Sequence, residues 1–203
     1  MTDLPAPPSA VDLCRALMDR ISLLETELVQ ARAQISRAEA MAHEDPLTGA
    51  LNRRGFAREL EKGMAFRNRY GTPASIILFD MDGLKTVNDR LGHAAGDALI
   101  RGVASTLKRH IRASDSVARL GGDEFAVLVW HADEAIATTK GRALQAILDS
   151  SSVTWRDGGI PLAASIGVAE LGGAMTAEAA LTLADTRLYA DKSARRAAQK
   201  KAA

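Results

Sequence analysis

From Ala10 to His43, apolar or small residues recur at Cys14, Leu17, Ile21, Leu24, Leu28, Ala31, Ile35 and Ala38, in steps that alternate three and four. The segment contains neither Gly nor Pro. A mean spacing of 3.5 keeps one seam facing a partner helix, so the pattern predicts a coiled-coil helix over 10–43. Cys14, Ile21, Leu28 and Ile35 take the a positions; Leu17, Leu24, Ala31 and Ala38 take d. On a parallel, in-register partner, Arg20 faces Glu25 and Glu27 faces Arg32, both pairs of opposite sign. Such a helix is about 50 Å long, too long to fold back comfortably on a small domain, which favours a homodimer. Alanine at the last two d positions thins the seam and leaves room for a shift of register. Cys14 reads as a small residue buried in that seam.

On either side the pattern changes. Residues 1–9 hold three of the six prolines and read as disordered. Pro46 disfavours helical geometry at Asp45, so the helix ends there and a new domain begins near residue 44. Gly55–Arg69 reads as a helix with Phe56, Leu60 and Met64 facing in, and Ser75–Asp80 as a buried strand that ends in acids. Ala94–Ile111 is a helix carrying Leu99, Val103 and Leu107. Ser116–Leu120 and Phe125–Trp130 are strands about the turn Gly121-Gly122-Asp123-Glu124. Asp133–Asp149 is helical. Val153–Arg156 and Ile160–Glu170 are strands about Asp157-Gly158-Gly159, and Thr176–Arg196 closes as a helix, with 198–203 frayed. Trp130 and Trp155 fall in the core; His43 and His110 fall on the surface. Mixed strand–helix order with two hairpins means an α+β or mixed-sheet domain over 44–197, not a doubly wound dinucleotide fold.

Composition narrows the chemistry. Of 203 residues, 26 are Lys or Arg and 25 Asp or Glu, a formal charge of +1. That argues against a partner that is mainly polyanionic, so nucleic acid is not expected. A single cysteine excludes an intramolecular disulfide framework and a cysteine-cluster metal site. No apolar run approaches the ~20 residues of a membrane span, and the N-terminus has no basic-then-apolar leader. The expectation is a soluble cytoplasmic protein.

The candidate chemistry lies in the acids. Asp80 and Asp82 stand at the end of an apolar strand, where a carboxylate is costly unless compensated. Asp123 and Glu124 stand in a glycine turn between two further apolar strands. If those strands neighbour the first, the carboxylates converge at one sheet edge as hard oxygen ligands suited to Mg²⁺. Gly121 and Gly122 remove side chains where backbone must approach something closely. Lys85 adds positive charge nearby, and Lys192 and Arg196 add more at i, i+4 on the last helix. No Walker A or G-x-G-x-x-G pattern is present. Taken singly, Asp97 or Asp185 would be an ordinary surface carboxylate.

Taken together, these blocks resemble the GGDEF family, the diguanylate cyclases of bacteria. The resemblance rests on Arg119-Leu-Gly-Gly-Asp-Glu-Phe125, on DPLTGALNRRGF (Asp45–Phe56), on FDMDGLKTVNDRLGHAAGD (Phe79–Asp97), on ASIGVAE (Ala164–Glu170) and on ADTRLYADKSARR (Ala184–Arg196). It covers about residues 43–197. It implies a central, mostly antiparallel sheet flanked by helices, like that of nucleotidyl cyclases. It also implies an Mg²⁺-dependent enzyme (Mn²⁺ also possible) that joins two GTP into cyclic di-GMP across a dimer of domains, releasing two pyrophosphates. On this resemblance Asp80, Asp123 and the Met81 carbonyl hold the metal, and Glu124 contributes. Asp123, Glu124 and Lys85 serve the reaction. Lys192 and Arg196 hold the terminal phosphates. Asn88, Asp97 and His93 take the guanine, with Gly121 and Gly122 admitting the nucleotide. A carboxylate such as Asp97 can accept from the guanine ring N–H and amine together, which adenine does not offer.

By itself Arg112-x-x-Asp115 reads as a local surface ion pair after a helix; its offset from Gly121 reverses that, because in the family the resemblance names this spacing marks the inhibitory product site. Two departures stand out: Leu84 replaces a common phenylalanine, and Arg195-Arg196-Ala197 replaces the usual Gly-Arg-Asn. The competing reading is a catalytically silent module that binds cyclic di-GMP or GTP. A protein partner docking on the N-terminal helix is compatible with either.

Overall fold

The structure, a computed structural model, describes residues 10–156, 158–172 and 175–202. The segment expected to be disordered, 1–9, and Asp157 of the second hairpin turn lie outside the described residues. The chain divides into an N-terminal unit ending at Met41 and a second unit from Ala42 onward.

The N-terminal unit is the helix α1 (Ala10–His43), unbroken over the span that the spacing predicts. Its seam residues Leu17, Ile21, Leu24, Leu28 and Ile35 are 47–60% exposed, and Cys14 is exposed with them. Val11, Leu13, Met18, Leu23 and Val29, off the seam, are exposed as well. No described helix is long and apolar enough to cross a membrane.

The second unit is built on four antiparallel strands in the order β2-β3-β1-β6: β1 (Ala74–Met81), β2 (Ser116–Gly121), β3 (Glu124–Trp130) and β6 (Ala164–Glu170). Strand β1 lies between β3 and β6, and Ile76, Ile77 and Phe79 have no exposed surface. Alternation sorts its side chains by face. Ile77, Phe79 and Met81 join Val127 and Val129 under α4 (His93–Arg109) and α5 (Glu134–Asp149). Ile76 and Leu78 join Ala126 and Leu128 under α2 (Arg53–Tyr70) and α6 (Ala177–Ala202). Asp80, two residues beyond Leu78, therefore starts on the α6 side.

Several boundaries differ from the sequence pattern. A helix α3 (Leu84–Leu91) precedes α4, with Gly92 between them at φ +85°. Ile160–Glu170 is two strands rather than one. Its first part, β5 (Gly158–Pro161), pairs with β4 (Ser152–Trp155) in a separate two-stranded sheet. The last helix continues past Arg196 to Ala202. Trp130 is half-buried, and Phe66 stacks edge-on against it at 5.5 Å. His43 is half-buried rather than surface-lying.

Helix α6 is seated by one glycine. A Cβ on Gly167 would lie 2.0 Å from the Ala184 carbonyl and 2.5 Å from the Leu188 nitrogen. Only a residue without a side chain lets α6 lie this close on β6. Gly167→Ala should therefore push the helix off the sheet and cost roughly 1–3 kcal/mol, as overpacking does. Urea unfolding measures this, and an unchanged midpoint would show that the helix is free to rise without cost.

Candidate functional site

The acids converge because two loops meet at one end of the sheet. Asp80 and Glu124 are register partners, and the Met81 nitrogen donates to the Asp123 carbonyl at 3.0 Å. The turn that carries Asp123 bends at Gly121 (φ +154°) and Gly122 (φ +47°), backbone geometry that side-chain-bearing residues resist. Just past β1 the Asp82 nitrogen donates to the Ala163 carbonyl, so the acidic tip is held from both neighbours.

The side chains divide into two sets. Asp80 receives Lys192 Nζ at 2.5 Å, both groups being largely buried. Burial raises the Asp80 carboxyl above its ordinary value; the negative charges of Asp123 and Asp82 add to this, and Lys192 opposes it. Asp82 receives Ser165 Oγ and Arg195 Nε, each at 3.2 Å, and Arg195 in turn donates to both carboxylate oxygens of Asp149 at 2.8 and 2.9 Å. Glu124 turns away, toward Arg53 at 3.6 Å, in a solvent-exposed pair. Asp80, Asp82, Asp123 and Lys192 are thus brought together; Glu124 sits at the margin. Arg196 is exposed, and its neighbour Arg195 is half-buried.

Among the described residues no three His, Cys, Asp or Glu side chains cluster to hold a metal ion. What remains is two carboxylates, Asp80 and Asp123, near enough for the charge of one to act on the other, with Met81 next to Asp80 in the chain. That hard-oxygen set fits Mg²⁺, which commonly takes one or two protein carboxylates and leaves its other positions to water and phosphate. Burial that leaves Asp80 short of solvation gives the same set a need for positive charge.

The expected base-reading residues lie on the helical hairpin that follows. Asn88 stands on α3, and its Oδ1 is buried without a partner. Gly96 on α4 makes room for it: a Cβ there would lie 2.0 Å from that oxygen. Asp97, His93 and Lys85 are exposed on the same pair of helices. Asn88 is thus a buried amide facing the turn of α4 that carries Asp97.

Arg112 and Asp115 are placed otherwise than expected of a surface pair. The Asp115 side chain has no exposed surface and receives Lys140 Nζ at 2.5 Å and the backbone nitrogens of Arg112 and Trp130 at 3.2 Å. It pins α5 to the start of β2. Arg112 is exposed and lines a pocket with Arg109, Ile136 and Lys140.

Three side chains matter that the sequence pattern had not singled out. Asp45, which opens the DPLTGALNRRGF block but takes no role of its own from the sequence, accepts from Thr48 and receives Arg119 at 3.1 Å. Arg119 also donates to the Gly122 carbonyl at 2.8 and 3.1 Å, so Asp45 is tied to the glycine turn through one guanidinium. Asp191 receives the Ile166 nitrogen, Gln145 and Arg142 at 2.6–2.9 Å, fixing α6 one residue before Lys192. Burial would raise its carboxyl; the Ile166 N–H, Arg142 and Gln145 outweigh that and hold it below the ordinary value. A depressed acid adds stability that is present above its unfolded pKa of 3.8 and is lost as pH falls through the lower folded value. Asp191→Asn should therefore lower stability at neutral pH and flatten its fall below pH ~4. Thermal melts between pH 7 and 3 measure both, and parallel curves for variant and parent would remove the ionised anchor.

An antiparallel sheet offering paired carboxylates at one edge and a lysine above them defines an α+β domain suited to handling phosphates. Residues 42–198 match the family model "Diguanylate cyclase, GGDEF domain". The chain belongs to the GGDEF family. It is 31% identical over 186 residues to diguanylate cyclase DgcP of Pseudomonas aeruginosa, covering 90% of this chain and 27% of that protein. It is 32% identical over 177 residues to diguanylate cyclase DosC of Escherichia coli, covering 87% of this chain and 38% of that protein. The chain thus spans well under half the length of these curated relatives. Among solved structures, it resembles the coiled coil and GGDEF domain of DgcB from Caulobacter crescentus in complex with c-di-GMP. The TM-score is 0.80 and the identity 27%, over 88% of this chain and 95% of that one.

Proposed function

We propose that this protein is a diguanylate cyclase that condenses two GTP into cyclic di-GMP and two pyrophosphates across a dimer of its domains. The observation that carries the reading is Asp80, held by Lys192, brought beside an intact glycine turn that carries Asp123. Asp80, Asp123 and the Met81 carbonyl would hold Mg²⁺ or Mn²⁺. When bound, the ion lowers the pKa of the attacking hydroxyl and offsets charge on the phosphates. Lys192 exchanges Asp80 for the terminal phosphates, aided by Arg196 and Lys85. Asn88, Asp97 and His93 orient the guanine, and the bare backbone of Gly121 and Gly122 lets the phosphates approach. Glu124 borders the reacting edge, paired with Arg53. At each of two centres a 3′-oxygen to α-phosphorus bond forms and the α-phosphorus to bridging-oxygen bond breaks. Pyrophosphate leaves, and the hydroxyl proton passes to a carboxylate of the turn or to water.

One domain offers one such edge, so two must face each other. The α1 seam supplies that pairing as a parallel coiled coil, which raises the local concentration of the second half-site. The test is GTP with Mg²⁺ and product identification by mass. A dimeric protein freed of bound nucleotide that makes no cyclic di-GMP would overturn the reading in favour of a silent binding module.

Product inhibition belongs to the pocket of Arg112. Its guanidinium suits a phosphate or a guanine face, with Lys140 beside it. Asp115 joins in reading the base once Lys140 releases it. Arg112→Ala should raise the product concentration needed for half-inhibition at least tenfold and leave initial rates unchanged. An unchanged inhibition curve would remove the site.

A further inference from the structure

A second cavity lies between α2 and α6, next to the glycine hairpin, with Glu124 at its rim. Its volume is about 550 Å³. Phe56 and Leu60 of α2 form one wall, Leu181 and Leu188 of α6 the other, and Leu78 of β1 the floor. Its rim carries Glu61, Glu124, Glu178 and Asp185 against a single cation, Arg53, which already leans on Glu124. Glu61, Glu178 and Asp185 have no ion-pair partner among the described residues.

Apolar walls of this size suit a compact hydrophobic body. The rim decides its charge: a triphosphate or any anion would face three uncompensated carboxylates, whereas a cation would be attracted by them. From the apolar cavity and its acidic rim together, we propose that the α2–α6 cleft is a binding site for a small organic cation with a hydrophobic body. It is an effector site, not a second nucleotide site. The cleft shares Leu120 and Phe125 with the hairpin that holds Asp123, and one wall with the helix that carries Lys192. An occupant there touches the hairpin and the helix that frame the reacting edge and meets that edge at Glu124. The inference does not rest on the cyclase reading, because the cleft and its rim stand whatever the carboxylate edge does.

Three probes of one shape test it: 4-phenylbutylammonium, 4-phenylbutanol and 4-phenylbutyrate, each titrated into the full chain with methyl resonances of Leu60 and Leu181 observed by NMR. The ammonium should shift these methyls and bind about tenfold more tightly than the alcohol, with the carboxylate weakest, as a few unscreened charges near the protein surface would produce. The exposed double variant Glu178→Gln/Asp185→Asn should erase most of that preference and leave alcohol binding unchanged. Leu181→Trp should abolish binding of all three by filling the cleft. Equal affinity for the three probes, absent methyl shifts, or a preference that survives the double variant would each overturn the proposal.

Discussion

Asp123→Asn should abolish turnover, lowering the rate by at least a thousandfold while leaving secondary structure and self-association intact. The substitution keeps the size of the side chain and removes only its charge. Its backbone role survives, because the carbonyl that accepts from the Met81 nitrogen is unchanged. What is lost is one of the two carboxylates at the edge, and with it a ligand charge that a hard divalent cation needs. Asp80 should respond as well: burial and the charges of Asp123 and Asp82 raise its carboxyl, so removing Asp123 lets it ionise more easily. The variant therefore separates two ways of failing. If activity is lost because the ion is lost, Mn²⁺ binding followed by electron paramagnetic resonance in the presence of GTP disappears too. A near-normal rate would remove Asp123 from the reaction.

The second large effect concerns the seam of α1. Leu24→Asp/Leu28→Asp should convert the protein to a monomer and reduce turnover per chain by ~10²–10⁴-fold at nanomolar protein. Both leucines sit on the exposed stripe of α1, so the change costs little within one chain. Placed against a partner helix they would bring four carboxylates into one apolar seam. If pairing only concentrates the half-sites, raising the protein to high micromolar levels should restore much of the rate. A variant that stays monomeric yet as active as the parent at nanomolar concentration would show that α1 is not what brings two domains together.

How much of this was legible in the sequence depended on the range of the interaction. The strands were readable because SIILFD and FAVLVW are short apolar runs bounded by turn residues, and burial on both faces follows from that. The helix over 84–91 was not, because LKTVNDRL is a single short polar stretch with two leucines and a valine, too brief to show a period. The split of Ile160–Glu170 was hidden because Leu162 and Ala163 are as apolar as the strands they separate. At the site, residue types and spacing pointed to Asp80, Asp123 and Lys192. They could not say that Lys192 rests on Asp80, that Glu124 is drawn to Arg53, or that Asp115 is sealed by Lys140. Those are pairings across 25 to 112 residues of chain, and pairing partners leave no local trace. Arg195 is the clearest instance. In sequence it was a departure from the family's glycine; in space it bridges Asp82 to Asp149.

The Asp45–Arg119–Gly122 link has an evolutionary corollary. Asp45 lies two residues past the end of α1, and it already holds, through one arginine, the carbonyl of Gly122 in the glycine turn. The handle is carried by the domain itself and not by whatever precedes it. A helix of another origin spliced on before Glu44 would acquire that handle at once, without new contacts having to evolve. The domain is portable for this reason: its first acid and its glycine turn are two contacts apart in space, through Arg119, though 77 positions separate Asp45 from Gly122 along the chain.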